Sequence, residues 1–494
     1  MSSVDRAVSR RALLGGGAVA IGGAVAGSTW YGVARGTGQH PLTQRWRERR
    51  GTRYFIAHRG AGDALPEHTL PAYEAALGWG ADAVEISTSS TADGVLICMH
   101  DLTYERTTTG KGVIHEQPST VLTRLGVSQP QLGPKWSRAP LTPVPRLDDV
   151  LQRIGGRAVL CIEAKLDSDY AAVAGMIEKH GLRDSVIMKF FHRSHNIAVA
   201  KAAGYPVFVY LGGGDVSAKT ISDAAAGLDR VKDCLVIPTT AGTGDIPDAL
   251  VAAAVKTGVP TWVYPVHRRV EADHYFALGV SGVVTSSIGY SAQSIPPVRR
   301  DDWRSAAIQP GQLSRDPVGV GHAPIWRPDG ALTLAGRGIG QHFLLLGQFG
   351  VLGSTGAGYN VQFEARWEKL PADKNANLTL AFACADDRYY QHRLGAASGY
   401  HATQRANGLL ELYRHSAGSQ EGVPLAAPAP TAAALEGQWM RFSLQVSQGG
   451  ISWRRLGGAL NGISVSVGDV HGGYLHIGRS SDDGALSFRN FTVA

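Results

Sequence analysis

The sequence predicts an α/β chain: a TIM-type (β/α)8 barrel followed by an all-β sandwich of the jelly-roll or concanavalin-like kind. Three observations predict this. From residue 54 to about 289, apolar strand-like runs alternate with helical patterns, which argues for a parallel sheet and, over such a length, for a closed barrel. Beyond Arg300 the runs are short and separated by Gly, Asn and Asp turns with no helical pattern, as in an antiparallel sandwich. The length of 494 residues exceeds what one core usually serves.

Residues 1–35 read as an export signal. Ser9-Arg10-Arg11 precedes a weakly hydrophobic, glycine-rich run ending at Ala26, the pattern of the twin-arginine route. That run is short for a spanning helix, and Ala24-Val25-Ala26 offers a cleavage site; an uncleaved membrane anchor is the alternative. Either way the expectation is an extracellular or cell-wall location. Residues 36–53 read as a polar linker. The net charge of +7 arises largely from arginines before residue 54, and no basic stripe with interleaved aromatics follows, so a nucleic-acid partner is excluded.

Residues 54–300 form the expected barrel. Its candidate strands are 55–57, 83–87, 95–99, 159–164, 186–190, 206–210, 235–238, 259–264 and 280–285, nine runs for eight places, with the surplus expected within 206–238. Helical patterns cover 70–79, 171–180, 197–203, 249–256 and 271–278, the first entered through a cap-like His68-Thr69. The longest interruption, 102–145, is expected to shape a pocket on the rim. The four cysteines show no C-x-x-C spacing and read as buried free thiols, with Cys98 and Cys161 directed into the barrel.

Residues 301–317 read as a polar linker and 318–494 as the sandwich. Its expected strands are 343–346, 359–367, 378–383, 389–394, 409–413, 439–446, 451–454, 463–467, 474–477 and 485–493. Trp367, Tyr389, Tyr390, His392, Tyr400 and Trp439 are either core aromatics, the favoured reading, or a stacking face for a cell-wall glycan.

Four strand ends in the barrel offer chemistry: His58-Arg59 in a glycine turn, Glu85 with Ser87 two residues on, His100-Asp101, and Glu163 with Lys165. Together with Pro66-Glu67-His68-Thr69, Thr91-Ala92-Asp93-Gly94, Arg106-Thr107-Thr108 and Val144-Pro145-Arg146-Leu147, these motifs resemble, in order and spacing, the glycerophosphodiester phosphodiesterases. The resemblance covers roughly 54–290. It implies hydrolysis of a glycerophosphodiester to an alcohol and sn-glycerol 3-phosphate, assisted by Ca2+ or Mg2+. By the same resemblance His58 and His100 are the acid–base pair, Arg59 and Lys165 hold phosphate oxygens, and Trp262 lines the pocket. Glu85 and Glu163 are metal ligands, and Glu67 orients its neighbours.

Three departures stand out. Ser87 replaces an acidic ligand, so that a hydroxyl, waters or Glu67 must complete the ion's shell. His68 replaces an asparagine. Trp262-Val263-Tyr264-Pro265 and Thr285-Ser286 differ from the usual closing motifs. Other readings are a phospholipase D-like cleavage of a lipid phosphodiester, a catalytically silent phosphate- or glycan-binding protein, and salt bridges of Glu85 and Glu163 with Arg59 and Lys165 that serve structure alone. His192, His195 and His267 belong to no motif.

Overall fold

The computed structural model describes Trp46 and residues 51–241, 244–313, 323–335, 338, 340–352, 358–389, 394–419, 421–457, 462–468 and 470–494. The expected signal, Tyr390 and His392 lie outside the described residues.

The barrel strands are β1 (Tyr54–Ala57), β2 (Ala83–Ser90), β4 (Val159–Ala164), β5 (Val186–Phe191), β6 (Val207–Tyr210), β7 (Cys234–Pro238), β8 (Thr261–Val266) and β9 (Gly282–Thr285), with β3 (Leu96–Cys98) beside β2. All eight barrel strands pair in parallel, and β1 meets both β9 and β2 to close the ring. β3 pairs antiparallel with β2 and stands outside the ring. The surplus run is therefore 95–99 and not, as expected, part of 206–238. The reason is local: the turn at Thr91-Ala92-Asp93-Gly94 is far too short for a parallel crossover, which takes a dozen or more residues. Cys98 consequently packs in the layer between barrel and helices, against the expectation, while Cys161 does face the interior. All four cysteines are free and buried.

Helices Leu70–Gly78, Leu147–Ile154, Tyr170–Lys179, Asn196–Ala202, Ala218–Ala226, Asp248–Lys256 and Arg269–Ala277 are among the connections. Thr69 caps the first of them by accepting from the Ala72 amide at 3.3 Å. The long connection after β3 carries its own small core of Tyr104, Ile114, Leu122, Val127 and Val144.

Strand alternation sorts the barrel interior by height. Its lower half holds Tyr54, Ile56, Ala83, Val159, Cys161, Ile187, Phe208, Val236 and Trp262, an apolar floor. Trp46, from the segment expected to be a polar linker, seals that floor: it is fully buried, edge-on to Trp262 at 4.7 Å, and donates to the Lys232 carbonyl. Trp262 therefore does not line a pocket. It begins β8 rather than ending it, stacks on Tyr54 at 5.3 Å, and lies over Gly282, where an added Cβ would meet its ring at 2.5 Å. Tyr264, two residues higher on the same face, is the aromatic of this strand that reaches the polar level.

The C-terminal region folds as two antiparallel seven-stranded sheets. One runs 325–326, 332–334, 485–493, 359–369, 440–447, 450–456, 462–466 in spatial order; the other holds 341–345, 474–480, 377–384, 399–405, 409–415, 422–424 and 429–430. Both sheets share one hydrophobic core. Strand Gly399–Arg405 was not among those expected, because its residues are buried on both faces and show no alternation; most of the expected strand 389–394 lies outside the described residues. Trp367 and Tyr400 belong to the core, while Trp439 is clasped by the guanidiniums of Arg366 and Arg489 at 4.3 and 3.9 Å. The described part of the expected linker 301–317 is packed as well: Trp303, Ile308 and Leu313 are buried, and Leu132 of the barrel's long loop joins Trp303 in the C-terminal core.

Candidate active site

The polar residues gather where the alternation places them, on the upper half of the barrel interior and at the C-terminal ends of its strands. Pairing puts Ser87 of β2 beside Glu163 of β4, and Glu163 beside Lys189 of β5, so that hydroxyl, carboxylate and ammonium form one row across three strands. Glu85 stands one step lower on β2.

His58 follows β1. Its Nδ1 is 2.9 Å from the Ser286 hydroxyl, at the end of β9, and its Nε2 is 3.6 Å from Glu85 Oε2. Burial, then the charges of Arg59 and Lys189, hold its pKa well below the usual histidine range. Arg59 takes a left-handed backbone, φ 55°, which turns its amide onto Glu85 Oε2 at 3.2 Å. Its Nη1 donates to both oxygens of Glu67, at 3.1 and 3.3 Å, while its Nε is buried without a hydrogen-bond partner among the described residues. Glu67 also receives a two-pronged bond from Arg106, at 3.0 and 2.7 Å. Despite its burial, these guanidiniums bring its pKa down to about 2.

His100, after β3, is held through Nδ1 by Asp101 at 2.7 Å, and Arg106 donates to the other Asp101 oxygen at 2.5 Å. Burial lowers the His100 pKa, with Arg59 and Lys165 adding to it and Asp101 opposing. The charge of His100 adds a smaller lowering to the His58 pKa.

Lys189 is the centre that the motifs did not reveal. Its ammonium donates to Glu163 Oε2 at 2.7 Å and to Glu85 Oε1, and is itself buried. Burial opposes its charge, but Glu163 and Glu85 outweigh it and raise its pKa. Burial likewise opposes ionisation of both carboxylates, and the lysines reverse that. Glu163 further accepts from Ser87 Oγ at 3.2 Å, Lys165 Nζ at 3.2 Å and Tyr210 OH at 2.7 Å.

An unbroken chain of contacts thus runs His100, Asp101, Arg106, Glu67, Arg59, Glu85, Lys189, Glu163, Lys165, with His58 set against Glu85. Of the candidate catalytic, phosphate-binding and metal-ligating residues, all except Trp262 lie on it or touch it, Ser87 through Glu163. Lys189, Ser286, Arg106 and Tyr210 were missed as site residues. For Lys189 a signal existed: within Val186–Phe191 it shares the parity of Ile187, which faces the barrel interior. Of the remaining histidines, His267 follows β8 and binds Asp63 at 2.7 Å, while His192 and His195 lie near Asp215 and Asp167.

The divalent ion that the resemblance implies does not fit this donor set. An ammonium already bridges the two carboxylates, the third position carries a hydroxyl, and among the described residues no three His, Cys, Asp or Glu side chains are grouped to hold a metal.

Residues 58–290 match the Glycerophosphoryl diester phosphodiesterase family. The chain is 28% identical over 250 residues to the glycerophosphodiester phosphodiesterase of Bacillus subtilis, an alignment spanning 47% of this chain and 82% of that protein. With a Mycobacterium tuberculosis protein it is 52% identical over 64 residues, only 23% of that relative's length. Among solved structures, an Agrobacterium tumefaciens glycerophosphodiester phosphodiesterase aligns with 49% of this chain and all of its own at 24% identity and a TM-score of 0.39. An Oleispira antarctica phosphodiesterase in complex with sn-glycerol-3-phosphate aligns with 49% of this chain and 96% of its own at 19% identity and a TM-score of 0.42.

Proposed function

Since the barrel carries a glycerophosphoryl diester phosphodiesterase family domain at residues 58–290, we propose that this protein hydrolyses glycerophosphodiesters to an alcohol and sn-glycerol 3-phosphate. The single observation that supports this best is the pair of imidazoles, each held through Nδ1 by its own partner and set about one cluster of cationic groups.

A phosphodiester is an anion that resists attack, so the site must neutralise its oxygens and move protons at two alcohol oxygens. His58, kept neutral by burial, takes the proton of the glycerol hydroxyl next to the phosphate as that oxygen attacks phosphorus. His100, whose Asp101 partner favours the imidazolium, gives a proton to the departing alcohol oxygen. The cyclic phosphate is then opened by water, with His100 taking a proton from the water and His58 returning its proton to the glycerol oxygen. Arg59, whose Nε is without a hydrogen-bond partner among the described residues, and Lys165 at the rim hold the non-bridging oxygens. Glu67 keeps Arg59 and Arg106 in place.

His58→Ala and His100→Ala are each expected to lower kcat/KM for glycerophosphocholine by about 10²–10⁴-fold with an unchanged circular dichroism spectrum. Full activity in either variant would overturn the assignment.

We also place the protein outside the cytoplasm on the strength of Ser9-Arg10-Arg11, with fractionation of the Arg10→Lys/Arg11→Lys double variant as the test. For the C-terminal region we propose wall-glycan binding. The support is a groove of about 200 Å³ lined by Phe343, Tyr389, His401, Arg405, Glu411 and Tyr413, and pull-down of the full chain on wall polymer tests it.

A further inference from the structure

We propose that the Lys189 ammonium takes the place of a divalent cation in this barrel, so that the phosphodiesterase reaction proposed above runs on the chain's own charges. The inference deepens that reading and rests on it. Three features lead there.

The first is occupancy. Glu85 and Glu163 do aim at a common point, as ligands of one ion would, and Lys189 Nζ stands at that point. A second positive centre cannot enter the gap while the first remains, since like charges at that separation repel strongly in a buried site.

The second is saturation. An ionised carboxylate offers roughly four lone-pair directions. Glu163 receives four donors: Ser87 Oγ and Lys189 Nζ on Oε2, Lys165 Nζ and Tyr210 OH on Oε1. Glu85 is engaged by Lys189 on one oxygen and by the Arg59 amide on the other. Among the described residues each oxygen of the pair thus has at least one donor, and Glu163 is fully engaged.

The third is charge. A divalent ion needs anionic oxygen ligands, and the alternation that places Glu85 and Ser87 on one face supplies only one carboxylate there. Ser87 turns its hydroxyl on Glu163 as a donor instead of offering a lone pair to an ion. Two carboxylates with one ammonium carry −1 in total. Arg59 and Lys165 border this cluster, and Arg106 is joined to Arg59 through Glu67.

Calorimetry with CaCl2 and MgCl2 on the full-length protein tests the proposal without reference to turnover. The wild type is expected to give no saturable heat, and its activity on glycerophosphocholine to stay within about twofold after dialysis against EDTA. The Ser87→Asp/Lys189→Ala double variant, which restores an acidic ligand and vacates the gap, is expected to gain saturable Ca2+ binding that Glu163→Gln, added to it, removes.

Saturable binding by the wild type that disappears in Glu85→Gln would overturn the proposal, as would an EDTA-inactivated wild type rescued by the ion. Absence of turnover with every glycerophosphodiester would instead defeat the proposed function, while calorimetry still reported on Lys189.

Discussion

His58 and His100 differ in what holds them, and the proposed roles follow that difference. At Nδ1 His58 meets a serine hydroxyl and His100 a carboxylate, and the carboxylate at 2.7 Å favours the imidazolium more than the hydroxyl does. His68 is a third case, tied to Tyr73 OH at 2.8 Å, with Nε2 buried and without a hydrogen-bond partner among the described residues. Burial brings its pKa down to about 3. A histidine whose folded pKa is depressed binds its proton more readily when unfolded, so it costs stability as pH falls from its unfolded value of about 6.5 toward 3. Glu67, at about 2, adds to the loss at lower pH, from about 4.3 downward, because its carboxylate is paired only in the fold. Thermal denaturation between pH 7 and 4 is therefore expected to show a falling Tm, and His68→Asn to flatten that slope. An unchanged slope in the variant would reject His68 as the source. The histidines and the motif carboxylates were legible because each stands at the end of an apolar run. The parity of Lys189 with Ile187 marks it only as inward-facing, since a lone lysine in such a run gives no hint of its partners.

Strands and helices hold these groups through features one residue wide. Gly282 lets β9 pass beneath Trp262, and Gly282→Ala is expected to destabilise by about 1–3 kcal/mol, since the buried ring is packed against Trp46, Tyr54 and Phe208. Urea unfolding measures this. Helix Arg269–Ala277 begins at the end of β8 and takes its N-terminal acceptor from the C-terminal region: the buried Asp387 carboxylate receives the amides of Arg269 at 2.7 Å and Val270 at 3.1 Å, together with Tyr290 OH at 2.9 Å. Arg268 Nη1 donates to the Asp387 carbonyl at 2.6 Å. Asp387→Ala strips the helix of a cap and leaves buried donors unpaired, so a loss of about 2–3 kcal/mol is expected in the same assay. Loss under 0.5 kcal/mol would mean that water replaces the carboxylate at about the same free energy. The elements themselves were mostly readable: five helical patterns fall within a residue or two of observed helices. β3 was misplaced because its apolar run was weighed without the four-residue turn before it.

Barrel and C-terminal sheets belong to one compact unit, Pro41–Ala494. Trp303 and Leu132 share the C-terminal core, and Asp387 reaches back to the barrel, so the two regions depend on each other across the boundary near Arg300. Ending the chain at residue 300 removes Asp387 and uncovers Leu132. The truncated barrel is expected to unfold at a lower temperature than the whole chain, and equal Tm values would show the boundary to be inert. No helix among the described residues is long and apolar enough to cross a membrane. What the sequence determined by itself is the alternation of strand and helix and the chemistry at each strand end, because periodicity and turns are local properties of the chain. Only the tertiary structure decided what Glu85 and Glu163 face. Their shared partner Lys189 lies 104 and 26 positions away and meets them solely because ring closure and strand register bring β2, β4 and β5 side by side.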